Sequence, residues 1–169
     1  MKKIKKLILS PEKYARRIGV KIGRGCEIYR RVNWGSEPYL ITVGDNVRIT
    51  NGVSFITHDG GVWVLRNMAK NKKDKNIDVF GRIVVGNNVH IGWNVIIMPG
   101  VTIGDNVVIG AGAIVTKDVA SNSIVVGIPA KKIETVDEYY QKVLKKCDYT
   151  KNLSADEKKE YLVDKFKIN

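Results

Sequence analysis

From Val85 to Ala120 the chain repeats a six-residue unit without interruption, beginning Val85-Gly86-Asn87-Asn88-Val89-His90 and Ile91-Gly92-Trp93-Asn94-Val95-Ile96 and ending Val115-Thr116-Lys117-Asp118-Val119-Ala120. The first place of every unit is Ile or Val, and the fifth is Val or Ala. A short fixed period of this kind constrains the fold more strongly than local propensity, because each unit buries its apolar face only by stacking on another. The period is neither helical nor simply alternating. It suits a short β stretch followed by a sharp bend, with β-branched residues on the pleat and Gly, Asn and Asp at the corner. Three such stretches close a triangular coil of about eighteen residues, and coils stack at about 4.8 Å. This register places Val85 beneath Ile103, Ile91 beneath Ile109 and Ile97 beneath Val115. The expected architecture is an all-β solenoid, in preference to a β-sandwich with busy turns.

The same register extends backwards through Val43–Arg48 and Ile49–Ser54 to Phe55, with an earlier pair of units at Ile22–Glu27 and Ile28–Asn33. Val79 and Ile83 are expected to re-enter it before Val85. Two breaks interrupt the beat. One is the phase break Trp34-Gly35-Ser36-Glu37-Pro38-Tyr39; the other is an insertion at about 60–78, containing Trp63, Leu65 and Met68 and a polar run from Lys70 to Asn76. Long loops on rigid scaffolds are where function collects. Both ends read as helical. Ser10-Pro11-Glu12 is an N-cap with proline at the first helical position, and Gly19 closes that short helix. Thr135-Val136-Asp137-Glu138 and Ser154-Ala155-Asp156-Glu157 are capping boxes. Val136, Tyr139, Tyr140, Val143 and Leu144 follow on one helical face, and Tyr161, Leu162 and Phe166 on another. The 169 residues fit a single domain, with a solenoid at about 20–133 and a helical tail at 135–169.

The net charge of +12 suits an anionic ligand such as a phosphorylated small molecule or an acidic glycan. It argues less for nucleic acid, because the cations are scattered and no helix-turn-helix or zinc spacing occurs. Cys26 and Cys147 form no metal or redox motif, and Cys26, at a fifth place, is expected to be a small buried residue. No apolar run reaches membrane length, and Met1–Leu9 is too short and too charged for a signal peptide, so the expected location is the cytoplasm. Only two histidines are present. His58 stands in Thr57-His58-Asp59, where the chain leaves the coil for its insertion, a place suited to meeting a substrate. His90 takes a sixth place, read as an outward turn position where a solvated imidazole is ordinary. A zinc site of three histidines is excluded by the count.

At this point the sequence resembles a known group. The run Ile91-Gly92-Trp93-Asn94, Met98-Pro99-Gly100-Val101-Thr102-Ile103-Gly104-Asp105-Asn106, Gly110-Ala111-Gly112, Val115-Thr116-Lys117-Asp118 and Val126-Gly127-Ile128-Pro129-Ala130 is similar to the maltose and galactoside O-acetyltransferase branch of the hexapeptide-repeat acyltransferases. Gly35-Ser36-Glu37-Pro38-Tyr39-Leu40-Ile41 and Thr57-His58-Asp59 are more similar to relatives acting on cell-surface polysaccharides. The resemblance covers roughly residues 18 to 134 and is specific across 85–133. It implies a left-handed parallel β-helix and a homotrimer with sites between subunits. It also implies acetyl-CoA as donor, a sugar or glycan hydroxyl as acceptor, and His58 as the general base, with no metal. Cofactor contacts fall on Trp93, Ala111, Thr116, Lys117 and Lys131. Glu37 and Asp59 fall on the substrate side, and either carboxylate is a candidate to orient the imidazole. One departure matters: where the sugar enzymes carry a tryptophan before Ile-Gly, this chain has His90, and its tryptophan comes three places later as Trp93.

Within the enzyme class, the rival is an antibiotic or other xenobiotic O-acetyltransferase, with the same histidine-bearing loop and a different acceptor pocket. A serine O-acetyltransferase normally has a substantial helical domain ahead of its repeats, where this chain has about twenty residues. From another class, a non-catalytic binding solenoid is the alternative, and His58 at the loop junction argues against it.

Overall fold

The computed structural model describes residues 9–168; the basic Lys2–Lys6 stretch, and all but the last residue of the Met1–Leu9 segment, lie outside them. Ser10 accepts from the Lys13 N–H and starts α1 (Pro11–Arg17), and Gly19, at φ 108°, turns the chain out of it. Twelve short strands then alternate among three parallel sheets. The first sheet holds β1 (Lys21–Ile22), β3 (Ile41–Val43), β6 (Ile83–Val85) and β9 (Thr102–Ile103) in that order. The second holds β2 (Glu27–Ile28), β4 (Arg48–Ile49), β7 (Val89–Ile91), β10 (Val107–Ile109) and β12 (Ser123–Val126). The third holds β5 (Ser54–Phe55), β8 (Ile96–Ile97) and β11 (Ile114–Val115).

The chain visits these sheets in rotation. Val85 pairs with Ile103, Ile91 with Ile109 and Ile97 with Val115, each eighteen residues on. The two breaks lengthen the loops without disturbing the register: Ile22 still pairs with Val43, Ile28 with Ile49, and Phe55 with Ile97. First-place residues such as Ile49, Phe55, Ile91, Ile97 and Ile109 are wholly buried, and the fifth-place Ile41, Val53, Val95 and Ala113 fill the space between them. Cys26 is packed against this core but only partly buried. Its thiol lies 3.2 Å from the Gly44 carbonyl rather than sealed inside.

The corners have their own order. Asn46, Asn88, Asn94 and Asn106 hold the fourth place at φ of 54–58°, a left-handed conformation that Asn tolerates and β-branched residues do not. Their amides chain from coil to coil: Asn88 donates to Asn106 at 2.8 Å, and Asn106 to Asn122 at 3.0 Å. At the third place, the N–H groups of Arg24, Asp45, Asn87 and Asp105 each donate to the side chain one coil on, at Asp45, Asn87, Asp105 and Ser121. Corner donors that water would otherwise have to satisfy are thus paired within the stack.

Two readings are corrected. His90 is not at a turn; it is the central residue of β7, between Arg48 and Val108 on the outward face of the second sheet. Val79 does not re-enter the inward ladder; it is 50% exposed and pairs antiparallel with the chain leaving the coil, so the ladder resumes at Ile83. Between the repeats and the tail a thirteenth strand, β13 (Lys131–Thr135), folds back antiparallel on β12. The insertion carries a short helix, α2 (Val62–Met68), secured where Arg66 meets the Ile77 carbonyl and the Asp78 carboxylate.

The chain divides into two compact units, one ending at Glu138 and the other beginning at Tyr139. Thr135 and Glu138 exchange the reciprocal bonds of a capping box at the start of α3 (Val136–Leu144). The second unit contains α4 (Ala155–Phe166), capped by Ser154 and Glu157, with Asp148 accepting from Tyr161 and pairing with Lys165. Tyr139, Tyr140, Leu144, Tyr161 and Phe166 are all exposed. No helix among the described residues is long and apolar enough to cross a membrane.

Candidate active site

Strand alternation sets the direction of His58. Phe55 and Thr57 are wholly buried, so the residue after them faces outward, and the His58 side chain is 44% exposed. The first break brings its partners. Trp34 is buried and stacked on Phe55, ring centroids 4.9 Å apart and planes within 6°. The chain then bends at Gly35, at φ 68°, where a Cβ would stand 2.9 Å from the Phe55 carbonyl oxygen and 3.0 Å from Thr57 Oγ1. Only glycine meets both demands. Beyond that bend, Ser36 and Glu37 meet the imidazole.

Glu37 Oε2 lies 3.1 Å from His58 Nδ1, accepts the Thr57 hydroxyl at 2.6 Å and accepts the Ser36 hydroxyl at 3.1 Å. Ser36 Oγ is also 3.2 Å from Nδ1. The Thr57 hydroxyl is the main reason the Glu37 carboxyl is held below its ordinary range; His58 and Ser36 add to this, against partial desolvation. An ionised Glu37 makes Nδ1 the protonated nitrogen, so Nε2 presents its lone pair. Asp59 is not part of this cluster. Its carboxylate accepts the Gly61 N–H at 2.8 Å and shapes the start of the insertion.

The second break returns to the same place. The Asp59 N–H donates to the Val79 carbonyl and the Gly81 N–H to the Thr57 carbonyl, both at 2.9 Å, with Phe80 opposite His58. A Cβ on Gly81 would overlap the backbone of Pro99 and Gly100, so glycine lets the returning strand seat against the next coil. Sequence reasoning did not single out Thr57, Ser36 or Phe80. Thr57 carried a readable signal: it falls two places after the inward Phe55, and a buried hydroxyl requires a partner.

The remaining candidates frame the outer face of the third sheet. Trp93 and Ala111 are exposed one coil apart at the corner before it, where the Gly112 N–H donates to the Trp93 carbonyl at 2.7 Å. Nothing lies within 4 Å of where a Cβ on Gly112 would stand, so this corner's backbone is open to a ligand. Lys131 is exposed at the start of β13, paired with Val126, and Ala130 beside it bonds to Ile114 of the third sheet. Thr116 and Lys117 are exposed at the opposite corner, which follows that sheet. Val115 stands two coils from Phe55 through Ile97, so Thr116 and the Ile56–Thr57 segment are separated by about 10 Å of stacking. His90 is on the second sheet, away from this face. Burial first, and the Arg48 charge second, lower its pKa, against Glu27. Among the described residues no cluster of His, Cys, Asp and Glu could hold a metal ion.

A family model described as bacterial transferase hexapeptide (six repeats) matches residues 82–117. The chain is 54% identical over 169 residues to protein CapG of Staphylococcus aureus, covering 99% of this chain and 95% of that protein. It is similar in structure to a maltose O-acetyltransferase from Clostridium difficile 630, at 29% identity and TM-score 0.57, covering 73% of each chain. It is also similar to a galactoside acetyltransferase in complex with coenzyme A, at 29% identity and TM-score 0.58, covering 88% of this chain and 82% of that one.

Proposed function

The chain belongs to the hexapeptide-repeat acyltransferase family and is an acyltransferase, and from that premise we propose that it moves an acetyl group from acetyl-CoA to a sugar hydroxyl. The acceptor belongs to a surface polysaccharide or its precursor. The three sheets form a left-handed parallel β-helix, the working unit is a homotrimer, and a CoA donor places the reaction in the cytoplasm. The observation that carries the mechanism is the Glu37–His58 pair: Nδ1 is engaged at 3.1 Å and Nε2 is left for the acceptor.

Nε2 takes the hydroxyl proton as the acceptor oxygen attacks the thioester carbonyl. The tetrahedral intermediate collapses with cleavage of the C–S bond, and the imidazolium returns its proton to the departing thiolate. No covalent enzyme intermediate is needed. Glu37 is a positioning residue that holds the tautomer and steadies the imidazolium, as a carboxylate does in other base-activated sites. Backbone N–H groups at the corners are suited to the developing oxyanion. The donor fits the third-sheet face: the open corner at Ala111 and Gly112 admits a pantetheine arm, Trp93 and Thr116 flank it, and Lys117 and Lys131 offer cations to the phosphates.

The test is CoA release from acetyl-CoA with a panel of glycosides. Positioned general bases contribute about 10²–10⁴-fold, so His58→Ala is expected to lose that factor in kcat with the acetyl-CoA KM preserved. Unchanged turnover in that variant refutes the mechanism. Failure of the unaltered protein to bind CoA in calorimetry favours the binding solenoid instead, and turnover restricted to antibiotic acceptors favours the xenobiotic enzyme.

A further inference from the structure

The stem that closes the second break fixes more than backbone. Its two hydrogen bonds flank His58 and Phe80 instead of joining them, which defines a directly opposed, non-hydrogen-bonded antiparallel pair. Side chains of such a pair project from the same face, with Cα atoms about 4.5 Å apart. The phenyl ring accordingly stands beside the imidazole, centroids 6.3 Å apart and planes at 68°. This edge contact occupies little of the ring, and Phe80 remains 54% exposed. Gly81, pressed against Pro99 and Gly100, denies the returning strand room to withdraw the ring from water. An apolar surface is therefore held in solvent beside the imidazole that must receive an acceptor hydroxyl.

We propose that Phe80 is the platform on which the acceptor sugar rests: a pyranose lays a contiguous C–H face on the phenyl ring, and a ring hydroxyl meets His58 Nε2. This rests on the O-acetyltransferase reading and specifies its substrate class as pyranosides. Open-chain polyols offer no such face and gain nothing from the ring. Phe80 binds and selects; the proton transfer remains with His58.

The experiment measures CoA release with acetyl-CoA as donor, p-nitrophenyl hexopyranosides as acceptors and glycerol as the open-chain comparator. Covering roughly 60 Å² of phenyl surface corresponds to about a tenfold change in affinity. Phe80→Ala is expected to raise the pyranoside KM by about that factor. The kcat, the acetyl-CoA KM, the pH profile and the glycerol rate should stay as they are, and Phe80→Tyr should restore the pyranoside KM. Phe80→Leu keeps apolar bulk without a flat face and should retain the fold, seen by circular dichroism, but not the KM. An unchanged pyranoside KM overturns the proposal. A fall in kcat with a displaced pH profile and an unaltered KM also overturns it, because the ring then merely positions the imidazole. An unaltered protein that releases no CoA with any acceptor sinks the O-acetyltransferase reading, and this proposal with it.

Discussion

Gly35→Ala tests whether the first break truly supports the base. Gly35 sits at φ 68°, where an L residue costs about 1–2 kcal/mol. The smaller unfolded ensemble of alanine returns about 0.4–1 kcal/mol of that. The larger effect is overlap: the new Cβ would stand 2.9 Å from the Phe55 carbonyl oxygen and 3.0 Å from Thr57 Oγ1. Neither neighbour can yield easily. The Phe55 N–H is bonded to the Asn33 carbonyl and the Ile56 N–H to the Ile97 carbonyl, each at 2.9 Å, and Thr57 is wholly buried. The break itself must move outward, carrying Ser36 and Glu37 away from His58. A net loss of about 1–3 kcal/mol follows, which lowers Tm by about 2–12 °C in a chain of this size. Misplacing a catalytic arrangement by about 1 Å costs about 10²-fold, so a smaller shift should lower kcat about ten- to hundredfold with the acetyl-CoA KM preserved. Gly100→Ala is the control: its φ of 84° is also left-handed, but nothing lies within 4 Å of its Cβ position. The reasoning is refuted if Gly35→Ala keeps its kcat, or if both variants lose Tm and kcat alike.

Glu37→Gln carries a pH signature. The folded carboxyl titrates below its ordinary value of 4.5, chiefly through the Thr57 hydroxyl, so its contribution to stability is present above that value and lost as pH falls through the folded pKa. The variant should be less stable than the parent at neutral pH, and the gap between the two urea unfolding midpoints should close as pH falls below 4.5; a gap that stays constant as the pH is lowered contradicts the ionised-carboxylate account. In the core, Ile91 is wholly buried between Ile49 and Ile109, so Ile91→Ala should cost about 2–5 kcal/mol and lower Tm by about 4–20 °C in a calorimetric scan. A drop of less than a degree would mean that the aliphatic ladder does not carry the fold.

How much of this could be read from the chain divides along one physical line. Whatever repeats is legible, because β-branched residues at a fixed period have one way to bury themselves. The pairs Val85–Ile103, Ile91–Ile109 and Ile97–Val115 need no more than counting. The breaks do not repeat, and there the beat misleads. Val79 matches the period but lies in a stem that reverses direction, so it turns outward. Asp59 is the nearer carboxylate to His58 in sequence, yet successive residues of an extended stem point to opposite faces. Glu37, twenty-one residues away, reaches the imidazole because Trp34 stacks on Phe55. That stack is a tertiary contact with no local signature. His90 was misread in the opposite sense, as a corner residue where it is mid-strand, because its place in the unit says which way it points but not what lies beside it.

Regularity also accounts for the breaks, rather than the coils, holding the proposed chemistry. Every unbroken coil repeats nearly the same backbone as the last, so the repeat offers an extended face but no bend that brings side chains from distant parts of the chain around one imidazole. Both breaks are tied to one stretch, Phe55 to His58. The first is fixed by the Trp34 stack and delivers Glu37 to Nδ1; the second is fixed by the Thr57 and Asp59 stem bonds and delivers Phe80 to the flank of the same residue. Since Ile28 still pairs with Ile49 and Phe55 with Ile97, neither break alters the register of the coils around it. A chain can therefore vary what stands around the imidazole while keeping the scaffold that aims it. It follows that substitutions at 34–39 and 79–81 should alter acceptor choice and proton transfer, whereas substitutions of first-place residues other than Phe55, on which Trp34 stacks, should alter stability alone.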